Sequence, residues 1–173
     1  MLDNVKETMT TFAKRVKQQA RTNLTKGKHN VSGDLYNSVD YELIISKNSY
    51  SLSFWMEDYA EFQDKGVSGT QRKYNTPYSY KSNSNLLGFE LATGTFARWA
   101  KFKGIRFRSS GGKFAKGNYK SIGVAIALAK KKKGIKPTHF FTKSLESGFK
   151  TLPQDIVESF ALNLDNIITD KDE

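Results

Sequence analysis

The sequence predicts an α+β fold, a small antiparallel sheet with N-terminal and C-terminal helices packed on one face. Three observations carry that expectation. Residues 38–57 hold two runs in which apolar and polar side chains alternate, broken at Lys47-Asn48. The first 26 residues repeat apolar side chains at helical spacing, and from Tyr119 onward helical spacing returns in three successive segments.

Taken in order, Leu2, Val5, Met9, Phe12, Val16, Ala20 and Leu24 follow one another at three- and four-residue steps, which places them on one stripe of a helix. Lys14, Arg15, Lys17 and Arg21 fall off the stripe, and Gly27 ends it. The stretch VSGDLYNSV reads as a turn whose Ser32, Asp34 and Asn37 bond local backbone groups. Val39, Tyr41, Leu43 and Ile45 then alternate with Asp40, Glu42 and Ser46, and Tyr50, Leu52, Phe54 and Met56 alternate with serines. This is the pattern of a hairpin with one face on a core and the other polar.

Residues 58–65 read as a short helix. Residues 67–118, rich in Gly, Ser, Asn and Lys, are expected as an extended arm inserted in a single domain spanning 1–173, mostly loop with a small helix near 96–102. Aromatics scattered through the arm argue against simple disorder. A helix is expected over 119–133 with Ile122, Ala125, Ile126 and Ala129 inward and Gly134 as its stop. Pro137 opens the next helix, with Phe141, Leu145 and Phe149 stacked. Thr151 to Gln154 has capping-box form and starts a last helix carrying Ile156, Phe160, Leu164, Ile167 and Ile168.

Composition narrows the function classes. The 173 residues include no cysteine, which excludes a disulfide scaffold, a thiol nucleophile and cysteine-ligated zinc. The apolar run at 122–129 is too short to span a membrane, and the first residues lack a signal-peptide pattern. Net charge is +11, unevenly placed: residues 101–150 hold 14 basic residues against Glu146 alone, while the last 23 residues hold six acids and one lysine. An excess concentrated in one segment is what a polyanion-facing surface requires.

Candidates for chemistry are few. In DYAEFQDKGVSG, residues 58–69, Asp58, Glu61 and Asp64 fan over about 120° of a helix beside Tyr59 and Phe62, which fits the wet side of a packed helix better than a converging metal site. His29 and His139 occupy unlike settings, and no GxSxG, HExxH or P-loop occurs. Catalytic, metal and cofactor sites are therefore not expected. The basic arm Lys101, Lys103, Arg106, Arg108, Lys113, Lys116 and Lys120, interleaved with Phe102, Phe107 and Phe114, is the candidate for DNA or subunit contacts. Alternation would put Arg106 and Arg108 on one side of an extended segment. Lys130, Lys131, Lys132 and Lys133 sweep round a helix end, where they complement its negative pole and attract phosphate or an acidic partner.

In this order the pieces resemble the tail-component, or neck-protein, family of tailed bacteriophages. SGDLYNSV matches a small-Gly-x-Leu-x-x-Ser turn through Gly33, Leu35 and Ser38. DYAEFQDKGVSG matches Tyr-Ala-x-Phe with a Gly-rich exit through Tyr59, Ala60, Phe62 and Gly66. FARWAKFKGIRFR and KKGIKPTHFFTKSLE supply Trp99, Gly104, Gly134, Ile135, Phe140 and Phe141. The resemblance covers about residues 30–165 and implies a non-enzymatic ring of six or twelve copies in the virion neck. Such a ring would be assembled in the host bacterial cytoplasm, touch portal, adaptor and tail proteins, and let double-stranded DNA pass by non-specific contact. From the residues alone, a non-specific nucleic-acid-binding protein using the basic segment 101–136 is the alternative.

Overall fold

The computed structural model describes residues 3–29, 32–46, 49–108, 111–114 and 118–159. In chain order the elements are α1 (Asp3–Lys26), α2 (Asp34–Ser38), β1 (Asp40–Ser46), β2 (Ser49–Trp55), α3 (Ala60–Lys65), β3 (Val67–Ser68), α4 (Leu86–Thr93), α5 (Thr95–Phe102), α6 (Tyr119–Lys133), β4 (Gly134–Ile135) and α7 (Thr142–Phe149). Residues 152–159 are helical as well. The chain divides into two compact units: residues 1–60 with 139–173, and residues 61–138.

The first unit is the α+β part. β1 and β2 pair antiparallel, with Tyr41 opposite Phe54, Leu43 opposite Leu52 and Ile45 opposite Tyr50. Because side chains alternate across a strand, these six share one face. Phe12 and Val16 of α1 form a core with Leu152, and Leu52, Phe54, Phe141, Leu145 and Ile156 pack against it. Phe54 meets the edge of Phe141 at 5.3 Å between ring centres. N- and C-terminal helices thus cover the same sheet face, as the alternation predicts. The opposite face carries Glu42, Ile44 and Ser51 in the open.

A second cluster unites Ala20 and Leu24 with Leu35, Val39, Ala60 and Phe140, all buried. Burying a phenylalanine side chain is worth about 1.5–3 kcal/mol, so the cluster ties the predicted stripe of α1 to both ends of the unit. Val5, Phe12, Val16, Ala20 and Leu24 of that stripe are indeed buried; Leu2 lies outside the described residues.

Three local expectations change here. The SGDLYNSV stretch is not only a turn, since residues 34–38 form α2, entered from Gly33. The helix expected at Pro137 begins only at Thr142, because His139 takes a left-handed φ of 52°. Thr151 does not cap residue 154 with its side chain; its hydroxyl donates to the Gly148 carbonyl instead. The expected stripe residues Phe160, Leu164, Ile167 and Ile168 lie outside the described residues.

Most described residues of 67–118 lie outside helix and strand, as expected, but the second unit holds one helix that was not expected. α5 falls where a small helix is expected, but α4 precedes it, and both pack on α6. Periodicity could not reveal α4 because LLGFELAT shows no polar face. The inward face of α6 is also rotated from expectation. Ile122, Gly123 and Ala127 are buried and Ile126 half-buried, whereas Ala125 and Ala129 are exposed. Close approach of α4 and α5 selects the smallest residue: a Cβ at Gly123 would lie 1.9 Å from Oε1 of Glu90.

Glu90 itself is only 3 % exposed. Its two carboxylate oxygens accept hydrogen bonds from the backbone N–H of Phe96 at 2.7 Å and of Ala97 at 2.9 Å. These are orphan donors in the first turn of α5, so a side chain from α4 caps the next helix. The remaining strands form a separate two-residue sheet, Val67 opposite Ile135 and Ser68 opposite Gly134. Gly66 enters it with φ 77°, and a side chain there would strike the Ile135 carbonyl and Pro137 at 2.7 Å.

Truncating Glu90 to Ala leaves two buried N–H groups unpaired and removes charge-assisted bonds worth about 1.5–3 kcal/mol. Urea unfolding of Glu90→Ala should show a loss of about 2–3 kcal/mol, and Glu90→Gln, which keeps one acceptor oxygen, a smaller loss.

Candidate polyanion and assembly surface

Charge separates along the same division as the fold. Residues 61–138 hold 17 Lys+Arg against three Asp+Glu, a net of +14, while the rest of the chain holds 11 against 14, a net of −3. The three acids of the basic unit are already engaged or hidden. Glu90 caps α5, Asp64 is 5 % exposed, and Glu61 pairs with Lys65 at 2.6 Å. From residue 91 to residue 138 there is no acid at all.

The helices distribute the cations unequally. Arg98 and Lys101 stand three residues apart on α5, so they share one side of the helix. With Lys120 at the start of α6, and with Ala97, Asn118 and Tyr119, they line an open groove of about 370 Å³. Asn118 caps α6, its side-chain oxygen accepting from the N–H and hydroxyl of Ser121. Lys103 follows α5 as its C-cap, and Lys113 is exposed.

Arg106 and Arg108 do fall on one side. Their guanidinium carbons lie 5.9 and 5.1 Å from the Phe114 ring centre, and Arg108 bridges to Phe114 across a one-residue antiparallel pair. Stacking on a ring face holds a guanidinium without neutralising it. Lys116, expected in the same arm, lies outside the described residues.

The four lysines at the end of α6 have a second duty. Backbone carbonyls of Lys131 and Lys132 accept from the N–H groups of Thr70, Gln71 and Arg72, which moors the loop after β3. Lys132 and Lys133 remain exposed, but Lys130 is half-buried, and burial holds its ammonium below the ordinary lysine value of 10.5. It is a poor ligand for a partner and a modest cost to the fold.

The acidic stretch at residues 58–64 spreads its three carboxylates between exposed and buried positions. Among the described residues no group of three or more His, Cys, Asp or Glu side chains could hold a metal ion. Asp58 and Glu61 are exposed, and the Lys65 bond, then that of Tyr78, holds the Glu61 carboxyl below the usual range. Asp64 departs from the expected wet face: it is buried where Thr138 donates its N–H to the Asp64 and Gln63 carbonyls and closes the end of α3. His29 ends α1 through a backbone bond to Leu24.

The residues on which the expected resemblance rests are placed as follows. Leu35, Ala60 and Phe140 are core. Ser38 donates to the Leu35 carbonyl and accepts from the Glu57 N–H, joining α2 to the exit of the hairpin. Gly33, Gly66, Gly104 and Gly134 all have positive φ, a backbone region that costs other residues about 1–2 kcal/mol. Tyr59, Phe62 and Trp99 stay at least a third exposed, with Phe62 meeting Tyr78 edge-on at 4.7 Å. Comparison of the chain with family models, curated proteins and solved structures found no match.

Sequence reading passed over Arg98 and Glu90. The i,i+3 spacing of Arg98 and Lys101 was a usable signal for the first; a lone glutamate between helices gives none.

Because the folded pKa of Lys130 is depressed, the unfolded state binds more protons between that value and 10.5, and stability rises with pH across that window. At neutral pH the full cost of burying the charge is present. Lys130→Met should therefore raise the melting temperature at pH 7 and flatten the gain that the unaltered chain shows as pH approaches 10.5, both read by thermal unfolding.

Proposed function

We propose that the chain is a structural subunit of a ring in the neck of a tailed phage, joining head to tail around the DNA path. The motif order at residues 30–165 supports this, as does a hairpin-and-helix unit in which the motif residues Leu35, Ala60 and Phe140 serve the core.

One observation carries the reading furthest. Residues 86–114 expose large apolar side chains that a free monomer has no reason to display: Leu91 is 70 %, Phe102 76 % and Phe114 64 % exposed, with Phe89 and Trp99 also open. Exposed apolar area of this kind is covered when copies or partners assemble. A free nucleic-acid-binding protein would use the cations equally well and could stack bases on the rings, but it would leave Leu91 in water.

The test is electron microscopy of assembled particles. The chain should form a ring of fixed symmetry at the head–tail junction, and Phe102→Asp should fold yet fail to join it. Absence of the chain from purified particles refutes the proposal.

A further inference from the structure

We infer that the groove between α5 and the start of α6 is a phosphate-backbone site for double-stranded DNA, gripped by Arg98, Lys101 and Lys120. Two of these cations come from one side of α5 and the third from another helix, and all three line the same open groove. Among the described residues none of the three has an ion-pair partner in the chain. Ala97 and Tyr119 give the groove apolar walls, which suit the sugar that accompanies each phosphate.

The fold sets the spacing of these cations. Glu90 fixes the first turn of α5 by its two N–H bonds, and Gly123 lets α6 approach that carboxylate closely. Arg98 and Lys101 are thereby held opposite Lys120, and the acid at that junction, Glu90, is buried and taken up by two backbone N–H groups. Lys130 offers a contrast, since it is half-buried beside a loop moored to its neighbours' carbonyls.

An acidic surface on a second copy, such as the acid-rich last 23 residues, is the competing occupant, and the charge balance of the whole unit favours a polyanion. Any closed ring of this chain retains +11 per copy, because the acids outside residues 61–138 exceed the bases there by only three. Contacts between copies cannot neutralise a unit at +14, whereas a polyanion of one charge per about 1.7 Å of duplex axis can.

The inference rests on the proposed neck role only for naming duplex DNA as the polyanion. The experiment therefore uses the isolated full chain and a labelled random-sequence duplex of about 30 base pairs, with binding followed by anisotropy from about 50 to 200 mM salt. Each phosphate contact contributes about 0.9 to the slope of log affinity against log salt. Arg98→Ala/Lys101→Ala/Lys120→Ala should lower that slope by about 2–3 and weaken binding at least about tenfold at low salt. Lys132→Ala/Lys133→Ala/Lys136→Ala removes the same charge from exposed positions elsewhere in the unit and should do clearly less.

Equal losses in the two variants would mean diffuse attraction and overturn the groove, as would no loss in the first. A poly-glutamate peptide that binds the unaltered chain as tightly as the duplex, and is lost with the groove variant, would make the occupant an acidic protein and overturn the DNA assignment. Should the alanine variant fail to fold by circular dichroism, Arg98→Glu alone supplies the reading: a reduced slope supports the site and an unchanged slope overturns it. A ring missing from particles while the groove still binds DNA would sink the neck role and leave the groove standing.

Discussion

The basic half of this protein depends on one buried carboxylate. Glu90 reaches from α4 to the first turn of α5 and satisfies two backbone N–H groups that would otherwise be orphaned away from water. Its negative charge suits the positive end of that helix, and its bulk is accommodated because α6 presents Gly123 at the point of contact. Three helices are thereby locked by one side chain. The positions of Arg98, Lys101 and Lys120 follow from that lock.

A second consequence concerns charge. A unit with 17 bases and three acids pays for self-repulsion unless a counter-charge is at hand. Here two acids lie inside and the third is tied to a lysine, so the surface keeps almost all of its positive charge. Aromatic rings held in the open beside these cations, Phe114 between Arg106 and Arg108 above all, combine apolar area with positive charge. That combination leaves positive charge and apolar area open on one surface.

Alternation in residues 39–56 settled the hairpin and its buried face, because a one-residue slip would have put Leu52 and Phe54 into water. The stripe of α1, the extent of α6 and the stop at Gly134 were equally legible. One element start was read less well, since His139 in a left-handed conformation delays α7 beyond Pro137. The last helix begins at residue 152, where the Thr151 pattern puts it, although the Thr151 hydroxyl bonds backward to Gly148. α4 escaped notice because an eight-residue apolar helix has no periodicity to read.

The sequence by itself determined the α+β class, the sheet face that is buried and the concentration of positive charge, since each is written in period or count along the chain. Only the tertiary structure decided which cations meet, which acids are hidden and why α6 turns Gly123 inward in place of Ala125. Those outcomes come from side chains far apart in sequence competing for the same few ångströms, and no local pattern records such a contest.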